Sequence, residues 1–131
     1  MLLLDTSALI DLERELASRR VGAVRAFLGE RRSEELACST VTVGELAAGE
    51  NETAVRVLLQ HLRKLPLSEA IAYRAGALDR QQRSQGRRLG ENDTWIAATA
   101  LHYSATLVYS DGDFDRLKGL KREKIPESTS P

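Results

Sequence analysis

Apolar residues in this chain fall into short solid blocks separated by longer stretches of helical period. Leu2-Leu3-Leu4 is an unbroken apolar run and reads as a buried strand. Asp5-Thr6-Ser7 then offers three successive N-cap residues ahead of Ala8, Leu9, Ile10 and Leu12, so a helix follows at once. Val24, Phe27 and Leu28 share one face of a second helix over residues 21–30, and residues 36–39 form a second short strand. Ser39 or Thr40 caps a helix that carries Val43, Leu46 and Ala47 and ends near Gly49. The next helix, residues 52–62, presents Val55, Leu58, Leu59 and Leu62.

Leu65-Pro66-Leu67 fits only a short or edge strand, because proline has no N–H to give a ladder. Residues 68–86 read as a long helix with Ile71, Ala72, Ala75 and Leu78 inward, followed by a basic turn to Gly90. Asn92 caps an alanine-rich helix over residues 93–103, and residues 106–109 form a clear strand. A turn at Asp111 leads into a short helix, and Ile125 closes the sheet. Strands alternating with helices require parallel crossovers, which predicts one layered α/β domain over residues 1–125. Residues 126–131 are small and polar and end in proline, so a flexible tail is expected there.

Composition narrows the function less than the pattern does. The 131 residues are 42% hydrophobic and 29% charged, ordinary for a globular chain with a real core. Lysine plus arginine equals aspartate plus glutamate at 19 each, so no overall positive charge favours nucleic acid. The cations are nonetheless clumped, at Arg19-Arg20, Arg31-Arg32, Arg87-Arg88 and from Lys118 onward. Cys38 is the single cysteine, which excludes an internal disulfide or a thiolate zinc site, and its apolar surroundings read as packing. The first apolar run stops at Asp5, far short of a leader peptide or a membrane span, so the cytoplasm is the expected location.

The placement of the acids carries the chemistry. Asp5 ends the first strand, and Asp111 follows the strand at 106–109 with one residue between. In an open parallel sheet, ligands bind beyond the carboxyl ends of the strands, where both residues would project. Asp93 lies in the first turn of its helix and Glu45 lies in the helix after the second strand, so both can converge there. Taken singly, Asp5 is also a helix cap, Asp93 answers the helix dipole, Glu45 is an ordinary surface acid, and Asp113 and Asp115 are turn acids. Asp11 is expected to pack near the first helix. Together, several carboxylates in one crevice repel by about 4 kcal/mol per pair at 4 Å and intermediate dielectric, so the site must bind protons or cations. All-oxygen ligation suits Mg²⁺ or Mn²⁺, which polarise phosphodiesters and activate water.

Four segments in order resemble the PIN-domain family, and within it the VapC-type toxins of toxin–antitoxin pairs. They are Leu3-Leu4-Asp5-Thr6-Ser7-Ala8-Leu9-Ile10, Ser39-Thr40-Val41-Thr42-Val43-Gly44-Glu45-Leu46, Glu91-Asn92-Asp93-Thr94-Trp95-Ile96-Ala97-Ala98-Thr99-Ala100 and Thr106-Leu107-Val108-Tyr109-Ser110-Asp111-Gly112-Asp113-Phe114. The resemblance spans essentially the whole chain. It implies a three-layer α/β/α fold with a parallel sheet of about five strands, and an endoribonuclease activity dependent on Mg²⁺ or Mn²⁺.

By the same resemblance, Asp5, Glu45, Asp93 and Asp111 are the catalytic acids, with Asp113 assisting directly or through water. Asp5, Asp93 and Asp111 hold the metal, and Glu45 is either a further ligand or a base. Thr6 or Ser110 orients a carboxylate or water. Arg87-Arg88, beside the Asp93 helix, and Arg31-Arg32 are the candidates for holding RNA. Trp95 either stacks a base or packs in the core or an interface. The implied partners are a cognate antitoxin, the RNA substrate and a second copy of the chain. Leu9, Leu12, Leu16, Val24, Leu46, Val55 and Leu59 supply either the antitoxin groove or the core.

Two other classes fit the acids less well. A PIN-like protein that binds RNA or a partner without cutting would not need every acidic position filled, as they are here. An aspartate-based phosphatase or phospho-acceptor wants Asp-x-Asp after its first strand, or paired acids with a later lysine. This chain has Asp5-Thr6-Ser7 instead.

Overall fold

The computed structural model describes residues 1–126. Its elements in chain order are β1 (Leu2–Leu4), α1 (Thr6–Ala17), α2 (Ala23–Gly29), β2 (Leu36–Ser39), α3 (Thr40–Gly49), α4 (Glu52–Leu58), β3 (Arg63–Leu65), α5 (Glu69–Ser84), α6 (Glu91–His102), β4 (Thr106–Tyr109) and β5 (Arg122–Lys124). A 3₁₀ turn, Gly112–Phe114, lies between β4 and β5. The strands pair in the order β3-β2-β1-β4-β5, and every pairing is parallel. The chain builds outward from β1 through β2 to β3, then returns to place β4 on the other side of β1. That reversal makes the β1–β4 junction the topological switch point of the sheet.

Side-chain alternation along the short strands produces the three layers. Leu3, Ala37, Leu65, Leu107 and Tyr109 face one side and pack with Leu78 of α5 and Ile96, Ala97 and Ala100 of α6. Leu2, Leu4, Cys38 and Val108 face the other side and pack with Leu9 of α1, Val24 of α2, Leu46 of α3 and Val55 of α4. The register Leu2↔Thr106, Leu3↔Leu107, Leu4↔Val108 brings the ends of β1 and β4 level, which sets Asp5 beside the residues that follow Tyr109.

Most predicted elements form where the pattern placed them, and the departures have local causes. β3 runs over Arg63–Leu65, ahead of Pro66 rather than through it, and is an edge strand. The helix expected over 52–62 stops at Leu58, where the Leu59 N–H closes on Val55 and Val57. Asn92 is not the cap of α6. Gly90 is, because its carbonyl accepts from both the Thr94 N–H (3.0 Å) and the Thr94 hydroxyl (2.9 Å). Ile125 lies just beyond β5 but prolongs the ladder through its N–H to the Tyr109 carbonyl at 2.7 Å. Of the predicted tail, Pro126 is exposed, and residues 127–131 lie outside the described residues.

Candidate active site at the carboxyl edge of the sheet

A cleft of about 280 Å³ opens at the β1–β4 junction, lined by Asp5, Thr6, Ser7, Ile10, Glu45, Asp93, Asp111, Asp113 and Phe114. The five acids proposed as catalytic from the sequence therefore share one cavity, although the outermost of them, Asp5 and Asp113, stand more than a hundred positions apart. Asp5 arrives at the end of β1, Glu45 from α3, Asp93 from the first turn of α6, and Asp111 and Asp113 from the turn after β4. Each location follows from the parallel topology, which turns every strand's carboxyl end and the start of the next helix to the same edge.

Asp5 is both a cap and a wall of the cleft. Its Oδ1 accepts the Ala8 N–H at 2.9 Å, which starts α1, and its side chain also receives the Ser7 hydroxyl at 2.8 Å. Burial pushes the Asp5 carboxyl up to about 6, against those hydrogen bonds and with help from the charge of Asp93. Asp93 is likewise pushed up to about 6, by burial first and then by Asp113, Glu45 and Asp111. Glu45 is held from β1's side: Thr6 Oγ1 donates to its Oε1 at 2.6 Å, and the same hydroxyl lies 3.1 Å from Thr42 Oγ1. Asp111 caps the 3₁₀ turn through its Oδ1, which accepts the Asp113 N–H at 3.3 Å.

The donor set suits a hard divalent cation, since every polar side chain in the cleft offers oxygen and most offer carboxylate. Burial and, after it, repulsion from Asp113, Glu45 and Asp111 raise Asp93, and a bound positive charge would relieve that repulsion. Among the described residues, no three of Asp, Glu, His and Cys are already drawn around one point. The carboxylates line the walls of the cleft without closing a cage, and a cation such as Mg²⁺ takes only one or two carboxylates and keeps several waters.

The basic candidates separate. Arg88 is largely exposed, pairs with Asp79 at 3.3 Å, and lines a larger cleft of about 610 Å³ with Leu89, Gly90, Glu91, Thr94 and Trp95. Arg87 is exposed on the same turn. This pair flanks the α6 turn that carries Asp93. Arg31 and Arg32, the second candidate pair, line neither the larger cleft nor the acidic one. They lie in the connection into β2, at the edge where that strand begins. Arg31 also stacks 3.6 Å from the Phe27 ring centre and pairs with Glu123 at 2.9 Å. Arg31 is thus a packing residue.

Other residues resolve in the same way. Trp95 is half-buried and packs against the Ile71, Ala75 and Ala98 cluster while bordering the larger cleft. Cys38 is fully buried, and burial pushes its thiol up to about 11, which makes it inert. Asp115 leaves the cleft to accept from Tyr109 (2.8 Å) and Lys124 (3.1 Å). Asp11 lies beside Arg14 on α1 and does not line the cleft. Leu9, Val24, Leu46, Val55 and Leu59 are core, Leu12 packs against it, and Leu16 is exposed.

Sequence reasoning missed Ser7, whose hydroxyl reaches both Asp5 and the turn after β4, and Glu15 of α1, whose buried carboxylate accepts N–H groups from the start of α2. The run Asp5-Thr6-Ser7 signalled a cap and hid the second role.

Comparison with known proteins follows the same lines. The family model for the PIN domain matches residues 2–120. The chain is 37% identical over 125 residues to Ribonuclease VapC10 of Mycobacterium tuberculosis, covering 90% of this chain and 91% of that protein. It is 32% identical over 120 residues to Ribonuclease VapC11 of the same organism, covering 88% and 90%. A solved toxin-antitoxin complex from Klebsiella pneumoniae superposes with a TM-score of 0.71 at 27% identity, covering 92% of this chain and 95% of that one.

Proposed function

The chain belongs to the PIN-domain family, and on that footing we propose that it is a ribonuclease toxin hydrolysing RNA phosphodiester bonds with a divalent cation. One observation carries the reading: Asp5, Glu45, Asp93, Asp111 and Asp113 line a single cleft at the switch point of the sheet. The ribonuclease activity named for its relatives from M. tuberculosis fits that cleft.

Asp5, Asp93 and Asp111 are the residues that hold Mg²⁺ or Mn²⁺, and Asp113 assists from the turn beside Asp111. When bound there, such a cation polarises the scissile phosphate and makes water more acidic. Glu45, with one oxygen fixed by Thr6, takes the proton of the attacking water. Asp5 and Asp93 must be ionised to hold the cation, which opposes their raised affinity for protons. Arg87 and Arg88, exposed side chains just ahead of α6, contact the RNA backbone on the approach to the cleft.

Its partner is a cognate antitoxin, as in the complex from K. pneumoniae. A cleft of about 450 Å³ lined by Val43, Ala47, Val55 and Leu59, and rimmed by Glu52, Arg56 and Lys64, offers an apolar floor for it. The chain acts as a homodimer in the cytoplasm. No helix among the described residues is long and apolar enough to cross a membrane.

The test is cleavage of a structured RNA by the purified chain, freed of its partner, with Mn²⁺ or with EDTA. Cleavage with Mn²⁺, abolished by EDTA and by Asp5→Asn, is the expected result. Cleavage that persists in EDTA overturns the metal mechanism.

A further inference from the structure

We propose that Ser7 is the positioning residue that sets the separation between Asp5 and Asp111, and so the span of the cation site. The Ser7 hydroxyl lies 2.8 Å from both Oδ1 and Oδ2 of Asp5. The same oxygen accepts the backbone N–H of Ser110 at 3.1 Å and of Asp111 at 3.2 Å, more than a hundred residues away. A serine hydroxyl has one hydrogen to donate and two lone pairs to accept with. Two N–H donors take both lone pairs, so the hydrogen has only the Asp5 carboxylate to point at. The bonding capacity of the group is filled, and its polarity is fixed.

This arrangement does more than cap a helix. The Ala8 N–H is already served by Asp5 itself, so α1 does not need Ser7 for its start. What Ser7 adds is a bridge between the end of β1 and the turn after β4, beyond the last paired residues Leu4 and Val108. On one side of that bridge is the carboxylate of Asp5, and on the other is the backbone that carries Asp111. Thr6, the neighbouring residue, grips Glu45 on the opposite wall. Two adjacent hydroxyls thus hold acids from α3 and from the β4 turn against the end of β1. Partners that orient ligands in this way are worth about 10–100-fold in metal affinity.

The inference rests on the cation reading of this cleft for its consequence, but not for the bridge itself, and the experiment separates the two. Amide exchange at Ser110 and Asp111 is followed in EDTA, and Mn²⁺ affinity is measured by electron paramagnetic resonance, for wild type, Ser7→Ala and Ser7→Thr. Ser7→Ala is expected to speed exchange of both amides several-fold and to weaken Mn²⁺ binding about 10–100-fold. Its circular dichroism and melting in EDTA stay close to wild type, and Ser7→Thr restores both readouts. Should alanine fail to fold, Ser7→Cys, a weak donor and acceptor of similar size, takes its place. Wild-type Mn²⁺ affinity in Ser7→Ala, or threonine as weak as alanine, overturns the positioning role. If wild type itself binds no Mn²⁺, the proposed function falls, and unchanged amide exchange in Ser7→Ala then overturns the bridge as well.

Discussion

Thr6 and Glu45 stand 39 positions apart in sequence, yet the Thr6 hydroxyl donates to Glu45 Oε1 at 2.6 Å. The contact fixes one carboxylate oxygen of α3 against the end of β1, and it leaves Glu45 oriented whether or not substrate is present. Thr6→Val keeps the shape and removes the donor. The expected result is a fall in kcat of about tenfold, a part of the roughly 10²–10⁴-fold that a general base contributes, because the base is misoriented and not removed, with KM and melting temperature nearly unchanged. Thr6→Ser restores the rate. Steady-state cleavage of a fluorogenic RNA reads both, and an unchanged kcat in the valine variant removes Glu45's orientation from the mechanism.

Asp93 turns catalytic need into a stability cost. Its carboxyl sits at about 6 because burial and the neighbouring acids disfavour its charge, whereas an unfolded chain ionises it at 3.8. Between those values the folded state binds more protons than the unfolded one. Metal-free stability therefore falls as pH rises through this window and stays low above it. Asp5 acts with the same sign over the same range. Asp93→Asn removes the ionisation, so in EDTA at pH 7.5 the variant is expected to melt higher than wild type while losing cleavage. Thermal melts from pH 4 to 8 should show the wild-type slope flattened in the variant. A variant that melts lower at pH 7.5 refutes the repulsion.

Divalent cations should reverse that cost. Binding requires ionised Asp5 and Asp93, so Mn²⁺ affinity is expected to drop as pH falls through about 6, where both take up protons. At pH 7.5 a Mn²⁺ concentration a hundred times its Kd stabilises the fold by about 2.7 kcal/mol, and EDTA removes the gain. Calorimetric titration at pH 5 and 7.5 checks the first statement, and melting against Mn²⁺ concentration checks the second. Asp5→Asn still has an oxygen to cap α1, so it should lose Mn²⁺ stabilisation without losing the helix, whereas Asp5→Ala loses both.

The parts of this fold that depend on local pattern were legible in the sequence. Leu2-Leu3-Leu4 and Thr106-Leu107-Val108-Tyr109 are dense enough to mark strands without any tertiary information, and they bracket the cleft. Asp5, Glu45, Asp93 and Asp111 could be gathered because a parallel sheet sends strand ends and helix starts to one edge, whereas only the family resemblance separated Asp113 from its neighbour Asp115. Bonds formed across the fold were not legible. Ser7 looks like one cap residue among three until β4 lies beside β1. The contacts of Arg31 with Phe27 and Glu123 join residues up to 92 positions apart and leave no local mark in the sequence. Gly90 carries no side chain to advertise a cap, so Asn92 looked the better choice, and the backbone decided otherwise.

Arg88 and Arg31 make opposite predictions from the same residue type. Arg88 is 69% exposed, and its pair with Asp79 is a surface ion pair worth at most about 1 kcal/mol, easily exchanged for a phosphate. Arg88→Ala should leave melting unchanged, weaken RNA binding and lower its salt dependence by about one ion. Arg31→Ala should leave RNA affinity unchanged and cost about 1 kcal/mol in stability through Phe27 and Glu123. Fluorescence anisotropy of a labelled RNA in EDTA across salt, with parallel melts, separates them. Equal RNA affinities for the two variants would remove Arg88 from the binding path.

Glu15 supports the fold away from the chemistry. It is only 4% exposed, and its carboxylate receives three backbone N–H groups at the start of α2: Gly22 (2.9 Å) and Arg25 (3.0 Å) on Oε1, and Val24 (3.0 Å) on Oε2. Gly22 has no side-chain cap of its own, so Glu15 replaces it from the neighbouring helix. Glu15→Gln turns an N–H donor toward those donors and leaves at least one unsatisfied, for a cost of about 2–3 kcal/mol. Gly22→Ala acts from the other side, since a Cβ there would sit 2.6 Å from the Glu15 carboxyl carbon. Both variants should melt roughly 10 °C lower, given the size of the chain. Because neither residue lines the acidic cleft, Mn²⁺ affinity and the cleavage rate per folded molecule should match wild type at a temperature where both stay folded. A loss of Mn²⁺ affinity in folded Glu15→Gln would mean that the α1–α2 corner and the cleft are coupled through α1, whose first residue grips Glu45.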